Sequence, residues 1–160
     1  MAAWNEAPLG TTLVFRNTDA AVIADGVTPQ SGQFVLRLGG PSTDYLTHYV
    51  EQYIDIPPDA TEVTVSGYLQ VRTLETENLP NDKAYVVIAE EPQFDPPFFL
   101  SMPWSNLTPA TSWTAFAVKA AVASVAGKQM VLRIIANLDT SIATYFYFDA
   151  ISAVVTGCSP

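Results

Sequence analysis

One cysteine, Cys158, one histidine, His48, and seven lysines and arginines among 160 residues set the first limits on this chain. A lone cysteine cannot form an internal disulfide, and it rules out zinc sites built from several thiolates. Basic residues are too few, against 16 acidic ones and a formal net charge of −9, for the clustered cations that phosphate backbones or anionic membrane surfaces require. Nucleic acid is therefore not an expected partner. Metal cations, neutral sugars and proteins remain open, and the acidity can equally serve solubility. Charged residues are only 14% and hydrophobic ones 49%, the reverse of a disordered chain. No apolar run approaches the ~20 residues of a membrane-spanning helix, so membrane insertion is not expected. Met1-Ala2-Ala3 begins no basic or apolar leader, so no signal peptide is read here, and an exported protein would already have lost one. The length fits a single domain over residues 1–160, with 1–10 and 156–160 read as tails.

Catalytic chemistry finds little footing. Any nucleophile–histidine arrangement must use His48, and no G-x-S-x-G elbow exists. His48 lies in the strand-like "THYVEQYIDI", where a structural role is the expected one. Cys158 sits in the tail without a basic neighbour to lower its pKa. Paired carboxylates for glycoside hydrolysis are not singled out by spacing. Glu90 and Glu91 would point to opposite faces of a strand, and Glu75 and Glu77, in "TLETENLPND", read as a solvated loop. No EF-hand loop is present. The chain is read as a non-enzyme.

What is abundant is strand signal. Short β-branched and aromatic runs alternate with turn residues, and the 12 prolines fall mostly between them. Strands are expected near Thr11–Arg16, Ala20–Ala24, Gln33–Leu38, Thr47–Ile56, Glu62–Arg72, Ala84–Glu90, Ser112–Val118, Lys128–Leu138 and Ala143–Val155. Period-2 alternation puts Val63, Val65, Gly67, Leu69 and Val71 on one face, with Tyr68, Gln70 and Arg72 on the other. Likewise Met130, Leu132, Ile134 and Ala136 oppose Arg133 and Asn137, and Phe34, Leu36 and Leu38 oppose Val35 and Arg37. Two such sheets face to face make an all-β, antiparallel two-sheet sandwich. Ala120–Ala126 is the best helix candidate, with Gly127 as its cap. The proline- and aromatic-rich segment Glu91–Pro109 is read as an ordered cap over one end of the core, with a binding loop as the alternative.

Three segments carry a resemblance: "GVTPQSGQFVLRLGG" (Gly26–Gly40), "YVEQYIDIPPDATEVTVSGYLQVRT" (Tyr49–Thr73) and "AGKQMVLRIIANLDTSIATYFYFDAISAVV" (Ala126–Val155). Ser31 and Gly32 lead into Leu36 and Leu38. Gln52, Ile54, Ile56 and Pro57 form a second pattern, and Phe146, Phe148, Asp149 and Ile151 a third. Together they resemble the galactose-binding-like jelly-roll domains, the carbohydrate-binding-module type of β-sandwich carried by secreted bacterial hydrolases. Gly67 stands where that family has a large core residue, and the family's "F-E-x-G" start is missing. The resemblance implies a jelly roll, an extracellular or periplasmic accessory role in a larger secreted protein, and a structural Ca2+. Asp149 matches the family's calcium-binding aspartate, and Asp19 and Asp25 lie in the early loops that would complete the site.

The expected function is therefore a non-catalytic extracellular module that binds carbohydrate or another extracellular ligand. A structural or adhesin-like interaction domain is the alternative, and a small hydrolase a more distant one. A sugar platform needs exposed aromatics flanked by groups that fix hydroxyls. The outward set Tyr68, Gln70, Arg72, Arg133 and Asn137 meets that description if its two strands lie in one sheet. Tyr145 and Tyr147 would extend it.

Overall fold

The computed structural model describes residues 4–41, 45–76, 78–90, 99–100, 104–108, 110–140 and 142–157. The strands among them are β1 (Asn5–Ala7), β2 (Val14–Arg16), β3 (Phe34–Gly39), β4 (Leu46–Asp55), β5 (Glu62–Thr73), β6 (Lys83–Ala89), β7 (Phe99–Leu100), β8 (Trp104–Ser105), β9 (Thr114–Ala121), β10 (Gln129–Leu138) and β11 (Thr144–Thr156). One short helix, α1 (Ala20–Ala24), and a 3₁₀ turn at Ala123–Val125 complete the set. The strands form two antiparallel sheets. The front sheet has the order β1-β4-β10-β6-β7, with β8 also on β6; the back sheet runs β2-β3-β11-β5-β9. This is the antiparallel β-sandwich expected from the alternation.

The inward sets pack as read. Val63, Val65, Leu69 and Val71 from β5 meet Met130, Leu132, Ile134 and Ala136 from β10 in one core, joined by Phe146 and Phe148. Burying each large aliphatic side chain there is worth about 1.5–3 kcal/mol. Gly67 has a physical reason. It lies directly across from Phe116, and a Cβ on it would sit 3.0 Å from the Asp149 carbonyl and 3.2 Å from the Phe116 ring. Phe116 in turn makes edge contacts with Trp104 (4.9 Å) and Phe148 (6.1 Å), so an aromatic trio occupies this end of the core.

Several expectations are corrected. Ala20–Ala24 is a helix, because a five-residue apolar run carries no decisive period and only Val22 needs to reach the interior. Of the Ala120–Ala126 helix candidate, Ala123–Val125 form one 3₁₀ turn, while Ala120 and Ala121 continue β9 by pairing with Val63 and Glu62, so ladder bonds override alanine's helix preference there. Phe34 keeps the parity of Leu36 and Leu38 but, at the start of β3, is 47% exposed under the Arg16 guanidinium, and Val35 on the opposite face is buried beneath α1. The tail reading fails for Asn5–Ala7, which pair with Tyr49–Glu51, and for Thr156, which ends β11 opposite Glu62. Most of the 91–109 segment, and Cys158, lie outside the described residues.

Candidate functional site

The expected platform does not assemble. Tyr68, Gln70 and Arg72 lie on β5 in the back sheet, whereas Arg133 and Asn137 lie on β10 in the front sheet, so the core separates them. Parity gave the outward face of each strand correctly. It could not say which sheet each strand joins.

The back sheet's outer face is covered over β3 and the first half of β11, while Ala115, Ala117 and Lys119 on β9 and Ser152 and Val154 on β11 stay exposed. α1 and the chain after it lay Val22 and Val27 over Val35 and Tyr147, with Phe15, Trp113 and Tyr145 around them. Trp113 Nε1 donates to the Thr28 carbonyl at 2.8 Å, which pins that cover. Gln70 is buried, and its Nε2 donates to the Thr111 carbonyl at 2.8 Å. Tyr68 is half-buried and Arg72 is exposed beside a cleft of about 360 Å³ shared with Asp25, Thr73 and Tyr145. Beneath the cover, the Tyr147 hydroxyl donates to Asp25, and Arg37 Nε donates to Asp25 at 2.9 Å and to the Tyr147 oxygen at 3.2 Å. Burial, then the Asp25 carboxylate, pushes the Tyr147 phenol well up from its ordinary value, so it stays protonated and donating.

The three aspartates expected to hold calcium are each engaged by protein donors. Asp149 accepts from the Ser31 amide (2.9 Å) and the Ala150 amide (2.6 Å). It thereby fixes the bulge where the β11–β5 register shifts, with Ala150 at φ +50°. Asp25 takes Arg37 and Tyr147, and Asp19 accepts from the Arg16 amide at 2.7 Å. Among the described residues, the carboxylates that do converge are others: Glu75, Asp82 and Asp139, with one oxygen of each within 4.8 Å of the rest. His48 is structural as expected. It is buried, and its Nδ1 accepts from the Gly39 amide at 3.1 Å. Burial, and then the Arg37 charge, lower its pKa.

The front sheet presents a different outer face. Its inward residues on β4, β10 and β6 have even numbers, as Val50, Ile134 and Val86 show, so the odd-numbered residues face out. Register aligns them in rows: Thr47, Asn137 and Lys83; then Tyr49, Ile135 and Tyr85; then Glu51, Arg133 and Val87; then Tyr53, Val131 and Ala89. Arg133 is locked in place. Its Nε donates to Glu51 Oε2 at 3.0 Å, a second guanidinium nitrogen reaches the same oxygen, and its Cζ lies over the Tyr49 ring, 4.0 Å from the centroid. The Thr47 hydroxyl donates to Asn137 Oδ1 at 3.1 Å. Tyr53 is exposed, while Tyr49 and Tyr85 are half-buried. Burial raises the Tyr85 phenol, leaving it a hydrogen-bond donor at neutral pH. Val87, Val131 and Ala89 are buried even on this face; Thr47 and Asn137 are exposed at one end, with Tyr49 and Tyr85 half-buried beside them, and Tyr53, Asp55 and Gln129 are exposed at the other.

Of the residues on this face, sequence reasoning named Arg133 and Asn137 and did not name Tyr49, Glu51, Tyr53 and Tyr85. The signal was present: in "THYVEQYID" the odd positions alone carry two tyrosines and two acids, against Val50 and Ile54 on the even side.

Comparison with protein-family models gives no match, and neither does comparison with curated proteins. Solved structures do match. One is TmCBM61 in complex with beta-1,4-galactotriose, with a TM-score of 0.58 at 8% identity over 96% of this chain and 88% of that one. A second is the CBM22-1 xylan-binding domain from Paenibacillus barcinonensis Xyn10C, with a TM-score of 0.52 at 10% identity over 98% and 87%. A third is the enzymatically active domain of tailspike protein 4 from bacteriophage CBA120, with a TM-score of 0.55 at 12% identity, covering 96% of this chain but 19% of that one. The chain thus has the β-sandwich fold found in several carbohydrate-binding modules.

Proposed function

We propose that this β-sandwich is a non-catalytic, extracellular carbohydrate-binding module whose ligand lies on the open outer face of the front sheet. The observation that carries the reading is the row Tyr49–Ile135–Tyr85 with the locked Arg133–Glu51 pair beside it. Tyr49 and Tyr85 stand two strands apart, about 10 Å, which suits ring-stacking along a sugar chain. Aromatic faces take the apolar side of a pyranose. Hydroxyls around the ring need donors and acceptors already held in place, because ordering them during binding costs affinity. Arg133, Glu51, Thr47 and Asn137 provide such groups, and their mutual hydrogen bonds set their positions beforehand. The net charge of −9 argues for a neutral glycan over an anionic one. The fold shared with a galactotriose-binding and a xylan-binding module supports the ligand class without choosing the sugar.

A glycan array spanning neutral plant and bacterial polysaccharides tests this reading. Retention of at least one neutral glycan is expected, weakened in a Tyr85→Ala protein that still melts cooperatively. No retention of any glycan, or retention only of anionic ones, would overturn it.

A further inference from the structure

An edge strand of a sheet presents unpaired N–H and C=O groups along one side, a template for pairing with another chain. Three edges of this sandwich are short: β1 and β2 have three residues each, and β7 and β8 two each. The fourth is β9, with eight residues paired to β5 on one side only. It lacks most features that blunt an edge. It contains no proline, its one charge is Lys119, and its register with β5 runs without a bulge. Ala115, Ala117, Lys119 and Ala121 are exposed, and Phe116 and Val118, which face the core, are only half-buried at its rim.

The ladder determines which backbone groups are free. The Val122 amide donates to the Thr61 carbonyl at 2.9 Å and the Val71 amide to the Ala110 carbonyl at 2.7 Å, so the odd residues of β5 turn towards β9. Bonded and non-bonded pairs alternate in an antiparallel ladder. Phe116 and Val118 therefore bond to Gly67 and Val65, as Thr114 and Ala120 do to Leu69 and Val63. The N–H and C=O groups of Ala115, Ala117, Lys119 and Ala121 point the other way, and none has a backbone partner among the described residues.

We propose that β9 pairs antiparallel with β9 of a second copy of this chain, centred on Ala117, and joins two back sheets into one. The free groups belong to odd residues, so odd must face odd. Ala117 then lies opposite the partner's Ala117, and Ala115 opposite the partner's Lys119, with about six new backbone hydrogen bonds. On the core side Phe116 meets the partner's Val118, an aromatic–β-branched pair of the kind that stabilises a ladder. The two lysines stand about 14 Å apart along the seam, beyond a Debye length at physiological salt. Centring the pair on Val118 or Lys119 would bring them to diagonal or directly opposed positions. Each copy carries a net charge of −9, yet β9 has no acid, and the Glu62 carboxylate across from its end is held by Lys119 at 2.8 Å. Two copies therefore meet here without facing acids. The two-fold axis is normal to the joined sheet, so both front-sheet faces point the same way and one extended glycan can span them. Only that last consequence rests on the carbohydrate reading.

The test is sedimentation of the full chain across a range of concentration and salt. The parent is expected to pass from monomer to dimer, more readily at high salt, which screens the repulsion between two acidic copies. Ala117→Pro removes an outward amide and no bond to β5. Ala117→Lys sets like charges face to face on the axis while reducing the net negative charge, so a loss there does not come from overall repulsion. Each is expected to weaken dimerisation at least tenfold, with circular dichroism and cooperative melting retained. Ser152→Lys, the same charge change on the exposed outer face of β11, is expected to leave dimerisation unchanged. A parent chain that stays monomeric up to about 1 mM, even one whose edge takes up an extended peptide of another protein, would overturn the proposal. So would dimerisation that survives both Ala117 variants, or that Ser152→Lys abolishes, which would place the contact elsewhere.

Discussion

Removing the Tyr147 hydroxyl should destabilise the fold without touching ligand binding. The ring of Tyr147 is fully buried against Val22, Val27 and Val35, and Tyr147→Phe keeps all of that packing. What is lost is the hydroxyl's hydrogen bond to the Asp25 carboxylate and the weaker one it accepts from Arg37. A hydrogen bond to a charged partner is worth about 1.5–3 kcal/mol. No bare charge is left behind, because Arg37 and Asp25 still hold each other at 2.9 Å. For a domain of this size about 2–4 °C accompanies each kcal/mol, so the midpoint should fall by about 3–12 °C. Asp25→Ala removes the acceptor that both partners share. Breaking a buried pair costs about 3–5 kcal/mol, and the partial exposure of this one places it near the lower end. Differential scanning calorimetry should therefore rank Asp25→Ala below Tyr147→Phe, and both below the parent. A Tyr147→Phe protein that melts with the parent would refute the reasoning. One that keeps its midpoint but loses glycan would show that the ligand sits on the back face.

Gly67→Val should cost about 1–3 kcal/mol through overpacking against the Phe116 ring and the Asp149 carbonyl, read as a lower urea midpoint; an unchanged midpoint would mean that the aromatic trio shifts freely. His48 should make stability fall in mild acid. Its folded pKa lies below its ordinary value of about 6.5, so the unfolded chain takes the proton first. Its contribution is full above that ordinary value and is lost as pH falls from there through the lowered folded value. Urea midpoints from pH 8 to pH 5 check the sign, and a His48→Gln protein should lose this part of the slope.

How far the sequence reaches is visible in particular residues. Alternation at 63–71 and 130–136 reports which side chains are buried, because a half-buried strand leaves no other pattern. The β4, β5, β6, β10 and β11 boundaries fall within a residue or two of the expected ones for the same reason. Alternation is silent on sheet membership. β5 and β10 carry equally good outward faces, and only the pairing of β10 with β4 and β6, and of β5 with β11 and β9, places them in opposite sheets. Helix against strand at Ala20–Ala24 was undecidable because five apolar residues fit either period. The acidic cluster was equally hidden. Glu75 and Asp82 sit in the β5–β6 connection and Asp139 in the β10–β11 connection with no motif spacing, and only the closed sandwich brings them together.

The most direct measurement of the central claim is a side-by-side titration of one array-selected neutral glycan into the parent chain, Tyr85→Ala and Tyr68→Ala, each first shown to melt cooperatively. Tyr85 and Tyr68 are both half-buried tyrosines on outward faces, one on the front sheet and one on the back. Affinity lost in Tyr85→Ala and kept in Tyr68→Ala is the result this account predicts. Affinity kept in Tyr85→Ala and lost in Tyr68→Ala would contradict it and move the binding surface to the back sheet.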